Sequence, residues 1–373
     1  MHDAVVIGGG VMGCSTALAL AEAGMRVAVV EENGLGSGAS GVNAGTLSLQ
    51  IKRTSLMAYA MRGAELWAAM SARLDSDVHH HRTGGLNLAF TDDEAEKLRA
   101  VMTERREAGL PIDFIGGNEA RAKEPQLTHL IRLASWSPLD GYASANLTGR
   151  AFRKALLKLG VTIEEFAPVK AIGRTAGGYE VVLPERVVKA RRLVLAGGSW
   201  NPDLLAMLAL QAPITRRINQ MAVTERTAKV LSSVVGHISG LMSLKQADNG
   251  TLLIGGGWQG EWSDHAPGRT VPSNLQGNLR FAQTALPALA KLRLVRVWYG
   301  YDSFVPDVMP MVGPLPGHAD AWMIGCVRGG YTIGPCMGEL LAQQILGQEP
   351  GLPLGAFEPT RYIRPLEKGA HAA

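Results

Sequence analysis

One N-terminal stretch constrains the fold of this chain more than any other. Residues 3–31 read DAVVIGGGVMGCSTALALAEAGMRVAVVE. An apolar run at 4–7 predicts a buried parallel strand. Gly8, Gly10 and Gly13 follow in the spacing GxGxxG, and a helical pattern runs over 11–23, closed by Gly24. A second apolar strand is predicted at 27–30, and it ends at Glu31, 18 residues past Gly13. Gly8 permits a sharp turn. Gly10 lets backbone approach a pyrophosphate at a helix N-terminus, where free N–H groups and the helix dipole favour anions. Gly13 lets the helix pack against the strand. Glu31 can accept both ribose hydroxyls and disfavours a 2′-phosphate, hence NADP. A lone GxGxxG says little, but strand, glycines, helix, strand and acid in register form a specific dinucleotide-binding signal. NAD and FAD both fit this motif.

The next stretch favours the longer ligand. Residues 34–50, GLGSGASGVNAGTLSLQ, form a second loop of small residues where an NAD-binding unit would start its next helix. Ser37, Ser40, Asn43 and the bare backbone at Ala44–Gly45 suit a ligand that extends past its pyrophosphate.

Composition narrows the class. Of 373 residues, 46% are hydrophobic and 19% charged, which favours a large buried core over disorder. A net charge of +4 is spread along the chain with no Lys/Arg block, so nucleic-acid binding is not expected. Cys14, Cys326 and Cys336 form no CxxC pair. Their odd number argues against a disulfide framework. No basic region precedes the short first apolar run, and no segment approaches the roughly 18 apolar residues of a membrane span. The cytoplasm is the expected location, with no integral membrane segment.

Further along, helices are predicted at 58–73, 92–108, 151–159 and 275–289. Strands are predicted at 86–90, 162–166, 170–174, 179–183, 191–195, 214–224, 240–244, 251–255 and 295–301, with a loop or hairpin at 135–147. The strand at 191–195 ends at Ala196–Gly197–Gly198, again placing bare backbone at a carboxyl edge, where α/β ligands bind. His79, His80 and His81 are adjacent. In extended chain His79 and His81 share a face, but no Cys or acidic partner is expected to join them, and no metal site is expected. Near the C-terminus, GCVRGGYTIGP (325–335) sets Arg328 among four glycines.

Taken in order, GGGVMG with Glu31, GASGVNAGTL, GGLNLAF, SPLDGYAS, LVLAGGSW, TLLIGGG, VPDVMPMVGPLP and GCVRGGYTIGPCMGELLAQQIL cover nearly the whole length. In these motifs the chain resembles the flavoprotein amine and amino-acid oxidoreductases related to D-amino-acid oxidase, glycine oxidase and sarcosine oxidase. Among them it looks most like β subunits of heteromeric opine oxidase-type dehydrogenases. The resemblance implies an α/β fold: a discontinuous Rossmann-like FAD-binding domain (1–84, 145–212 and 302–373) plus a substrate domain with a large mixed or antiparallel sheet (85–144 and 213–301). It implies non-covalent FAD in an extended pose. Gly8, Gly10, Val11, Met12 and Gly13 would hold the pyrophosphate, and Glu31 with Glu32 the adenosine ribose. Ser40, Asn43, Ala44, Gly45, Thr46 and Leu47 would run under pyrophosphate and flavin. Val169 would touch adenine through its backbone, Gly197 would line the ligand, and Gly329, Gly330, Tyr331, Thr332 and Ile333 would border the isoalloxazine. A helix starting near Gly334 would aim its N-terminus at the flavin.

By the same resemblance Arg328 is the substrate-carboxylate anchor, with Tyr301, Asp302 and Arg53 as further catalytic candidates and Lys52 as another acid-binding group. Family members often carry a second carboxylate-binding arginine in a WAGLRPxTPD stretch. Here the stretch reads WYGYDSFVPD, and Asp302 takes that place. The implied reaction is hydride transfer from an amino acid or an N-substituted, opine-type amino acid, giving an imine that water hydrolyses. The implied partner is another subunit of a heteromeric dehydrogenase, which would carry any FMN or iron–sulfur cluster. Two alternatives stand beside it: a stand-alone glycine or D-amino-acid oxidase that reduces oxygen to peroxide, and a flavin-binding accessory protein.

Overall fold

The computed structural model describes residues 1–263 and 266–366. Two eight-stranded sheets organise it. In the first, Ala321–Gly325, Val187–Leu195, His2–Ile7, Val27–Val30 and Thr162–Glu164 lie side by side and parallel. Met311–Pro314 closes one edge antiparallel, and Gly178–Val182 with Ala171–Thr175 extends from Val187–Leu195 as a meander. Ala4, Val5 and Val6 are wholly buried, as a strand covered on both faces requires.

The second sheet runs Leu294–Phe304, Thr215–Arg226, Thr251–Gly255, Ser243–Gln246, Val234–His237, Gly85–Ala89, Leu133–Ser137 and Asp113–Gly116. Its pairings are antiparallel except that between Val234–His237 and Gly85–Ala89. Leu294–Phe304 crosses position 301/302, the expected join between the two units. Residues 367–373, expected in the first unit, lie outside the described residues.

The chain ends meet through two helices, Val11–Glu22 and Gly330–Ile345. A Cβ on Gly334 would lie 2.7 Å from Val11 Cγ1, and one on Gly338 would lie 2.6 Å from Ser15 Cβ. Two glycines one turn apart therefore let the last helix press against the first. Met57–Arg73 covers the same region, and its fully buried Trp67 stacks on Tyr331 with ring centroids 4.6 Å apart.

Several elements differ from the sequence-based expectation. The last helix starts at Gly330 rather than near Gly334. Pro335 removes one intrahelical bond, and the Tyr331 carbonyl so freed accepts from Trp67 Nε1 at 3.0 Å. A distant indole therefore sustains a first turn that a proline would otherwise weaken. The helix expected at 151–159 spans Ala145–Lys158. Its first turn carries Thr148, whose hydroxyl back-bonds to Ser144 O at 2.8 Å and meets Tyr331 Oη at 2.8 Å. The loop or hairpin expected at 135–147 contains the end of strand Leu133–Ser137 and the short strand Gly141–Tyr142, which pairs with Thr46–Leu47. The strand expected at 240–244 lies at Ser243–Gln246. Among the described residues no helix is long and apolar enough to cross a membrane.

Candidate active site

A cavity of about 1160 Å³ lies between the sheets. The carboxyl ends of the parallel strands supply Ile7, Gly8, Val30, Glu31, Ala196 and Gly197, and the antiparallel sheet supplies Asn219, Met221 and residues 299–303. It is larger than the usual small-molecule pocket, so it has room for a dinucleotide and a substrate together.

The N-terminal turn fits FAD. A Cβ on Gly13 would lie 2.0 Å from Gly8 O, and one on Gly8 would lie 2.3 Å from Ala196 O. These glycines are required by packing. Gly10 differs, because its absent Cβ would meet only Ser40 Oγ, at 3.2 Å, so its backbone opens to the cavity. Ser40 Oγ accepts from Val11 N at 2.9 Å and joins the second small-residue loop to the helix start. Glu31 accepts from Gly9 N at 2.7 Å and Asn33 N at 2.9 Å, which fixes its carboxylate at the strand end. Val11, Met12, Glu32 and Val169 line the cavity with it.

The remaining cofactor candidates divide into two groups. Ser40, Asn43, Ala44, Thr46, Gly329, Gly330 and Tyr331 line the cavity. Asn43 turns its side chain inward, donating to Ala39 O and Ser40 O while accepting from Gly45 N at 2.5 Å. Gly13, Gly45, Leu47, Thr332 and Ile333 do not line it. Leu47, Thr332 and Ile333 are buried in packing, so they support the wall from behind.

The proposed chemistry residues converge from distant segments. Arg53, Tyr301, Asp302 and Arg328 all line the cavity. Arg328 is exposed, and among the described residues its guanidinium has no hydrogen-bond or ion-pair partner. Arg53 sits at the rim and donates to Asp307 O at 2.6 Å. Burial raises the Asp302 carboxyl above its ordinary range, against the opposing pull of Ser303 N–H, Arg328, Asn219 and Lys52. Its oxygens accept from Ser303 N at 3.0 Å and Asn219 Nδ2 at 3.3 Å.

Lys52 is buried and donates to Gly329 O at 2.6 Å. Burial pushes its ammonium down to about 8, and Arg328 adds to this while Asp140 and Asp302 oppose it. Asp140, which no spacing in SPLDGYAS singles out, anchors the floor. It accepts from Ser48 Oγ at 2.6 Å, Leu49 N at 2.8 Å and Gln50 Nε2 at 3.1 Å. Buried Lys245 likewise carries no signal in its local sequence. Its ammonium lies 4.5 Å from the Tyr142 ring centroid, behind Gly45, and burial pushes it down to about 7.

Trp200, Tyr299 and Tyr301 bring an aromatic group to the same cavity. The Tyr301 ring lies 5.4 Å from Trp200, 5.3 Å from Trp262 and 5.8 Å from Tyr299. Only Tyr301 stands out in sequence, since the group is spread over three segments. Cys326 lines the cavity, and burial pushes its thiol up to about 11, so it stays protonated near neutral pH.

The histidine run needs a correction. No acidic residue was expected to join it, but folding brings Asp248 against it. Asp248 Oδ2 lies 2.8 Å from His81 Nε2 and 3.6 Å from His79 Nδ1.

The chain is similar to known proteins over nearly its whole length. Glycine oxidase of Geobacillus kaustophilus (strain HTA426) is 26% identical over 375 residues, covering 97% of this chain and 97% of that protein. An opine oxidase subunit of Agrobacterium tumefaciens (strain Ach5) is 27% identical over 378 residues, covering 96% of this chain and 97% of that one. The crystal structure of L-proline dehydrogenase from P. horikoshii superposes with a TM-score of 0.89 at 25% identity, over 96% of this chain and 97% of that chain. Residues 3–344 match the family described as "DAO: FAD dependent oxidoreductase". The chain belongs to this family of FAD-dependent oxidoreductases.

Proposed function

We propose that this protein oxidises the C–N bond of an amino acid carrying a substituent on nitrogen, as the catalytic subunit of a heteromeric dehydrogenase. The observation that carries this reading is the Arg328 guanidinium, unpaired among the described residues, in the cavity that also holds the glycine turn. A free guanidinium in a cleft is suited to a carboxylate, which it holds by two parallel hydrogen bonds. Bound FAD supplies the two-electron acceptor that takes hydride from the carbon bearing the nitrogen. Arg328 fixes the substrate carboxylate and so orients that carbon. Lys52 adds positive charge and holds the Arg328 turn through Gly329 O. Water then hydrolyses the imine product.

Asp302 and its aromatic neighbours support a substrate larger than glycine. A carboxylate that shares one cavity with Tyr301, Tyr299 and Trp200 suits a second, cationic arm, through charge and through the ring faces. The full-length likeness to an opine oxidase subunit supports both the opine-type substrate and the partner chain. In this reading the parallel sheet carries FAD and the antiparallel sheet carries the substrate, with the boundaries expected from sequence.

The full-length likeness to glycine oxidase favours a second reading, a stand-alone oxidase of small amino acids. Anaerobic titration of the FAD-loaded chain with glycine, sarcosine, proline, D-amino acids and opines tests both. Loss of flavin absorbance with N-substituted amino acids, without peroxide formation in air, supports the first. Bleaching by glycine with peroxide formation supports the second. Absence of bleaching by every compound rules out both and leaves the accessory role.

A further inference from the structure

His79, His81 and Asp248 take no part in the cavity, yet they converge. His79 and His81 lie between helix Met57–Arg73 and strand Gly85–Ala89, and Asp248 lies in the turn between Ser243–Gln246 and Thr251–Gly255. One ligand atom from each of the three residues lies within 4.8 Å of the other two. Two further groups brace them. Asp77 Oδ2 lies 3.4 Å from His79 Nε2, the ring nitrogen that faces away from Asp248. Tyr142 Oη donates to Asp248 Oδ1 at 3.1 Å, leaving Oδ2 to face the imidazoles. His79 also holds a left-handed backbone, φ 48°, with its N–H on Asp77 Oδ1 at 2.7 Å. Such a conformation at a non-glycine residue is retained where surrounding contacts impose it.

Both imidazoles address the same carboxylate oxygen, so ligand atoms of the kind a divalent cation takes gather at one place. Such a cation takes both rings as neutral ligands. We propose that His79 Nδ1, His81 Nε2 and Asp248 Oδ2 bind one divalent transition-metal ion of the Zn²⁺ class, with water completing the shell. Two imidazoles and a carboxylate suit such an ion better than Ca²⁺ or Mg²⁺, which prefer all-oxygen sites. Asp77 and Tyr142 orient the ligands, as outer partners do at metal sites. The ion would tie the 79–81 segment to the 247–250 turn. Through Tyr142, which pairs with Thr46, it would brace the cavity wall from behind.

The test uses untagged FAD-loaded protein stripped with chelator, titrated calorimetrically with Zn²⁺ and separately with Ca²⁺ and Mg²⁺. One Zn²⁺ per chain should bind, with no heat from the other two. His81→Ala and Asp248→Ala should each weaken binding at least tenfold, and Asp77→Ala roughly tenfold. His80→Ala should leave it unchanged. Circular dichroism of each variant separates site loss from misfolding, and His81→Gln repeats the test at closer size. X-ray absorption of the loaded protein should show two imidazole ligands. Failure to bind Zn²⁺, binding that survives both His81→Ala and Asp248→Ala, or a shell without imidazole would overturn the assignment.

Discussion

Lys52 Nζ donates to the carbonyl of Gly329 at 2.6 Å, joining residues 277 positions apart in sequence. Gly329 is the left-handed cap of the last helix, with φ 70°, and the residue before it is Arg328. One buried ammonium thus holds the turn that presents the proposed carboxylate anchor. Lys52→Met should release that turn. KM for a carboxylate substrate should rise roughly tenfold, about one charged hydrogen bond, with a smaller fall in kcat. Steady-state kinetics with and without the substitution check this, and an unchanged KM would count against the link.

The same lysine sets a pH dependence of stability. Its ammonium drops from the ordinary 10.5 to about 8 on folding, through burial. Between those values the unfolded chain binds more protons than the folded one, so stability rises with pH across that window. Below about 8 the penalty is constant. Relative to Lys52→Met, the wild-type protein should gain on the order of 3 kcal/mol between pH 8 and 10.5. Denaturant titrations of both proteins across this range provide the measurement. A flat difference would show that Lys52 keeps its charge.

Arg328→Ala should lower kcat/KM roughly 100-fold for substrates with a free carboxylate, the loss of two charged hydrogen bonds. Flavin content and Tm should stay near wild type, because the guanidinium is exposed and makes no hydrogen bond or ion pair among the described residues. Arg328→Lys should recover part of the loss. Equal activity on a carboxylate substrate and its methyl ester in the wild-type protein would remove Arg328 from the mechanism.

Asp302→Ala should discriminate between substrates. Arginine-derived opines such as octopine or nopaline should lose roughly tenfold in kcat/KM, while proline or sarcosine should change little. The comparison needs both classes on one enzyme preparation, since a general defect would lower both. Unchanged turnover of the opines would sink the proposed role.

The glycine turn separates binding from folding. Gly13→Ala forces a Cβ to 2.0 Å from Gly8 O, an overpacking that should cost about 1–3 kcal/mol and lower Tm with or without FAD. Gly10→Ala meets only Ser40 Oγ at 3.2 Å. It should fold normally and bind FAD more weakly. Flavin content after gel filtration, read beside the melting curve, distinguishes the two outcomes.

The dinucleotide turn is legible in sequence because it is local. Strand, glycines, helix and Glu31 fall within one continuous stretch, so their spacing alone specifies their geometry. The aromatic group around Tyr301 is not legible in this way. Trp200, Tyr299 and Trp262 come from three segments, a 3-10 turn, the edge strand of the second sheet and a strand of a separate two-stranded sheet, and only the fold gathers them around Tyr301. Nor is the first turn of the last helix, where Pro335 signals a start and Trp67, 264 residues from Tyr331, supplies the missing donor.

By itself, then, the sequence determined the nucleotide-binding unit, whose residues are close in the chain, and, through short motifs read in order along it, the family likeness and the candidacy of Arg328. Only the tertiary structure decided that Lys52 would hold Gly329, that Trp200 and Trp262 would flank Tyr301, and that Asp248 would meet His79 and His81. Each of those depends on loops closed across long stretches of chain. The energy that closes them comes from burying the faces of the two sheets and the helices against them, whose packing no local pattern specifies.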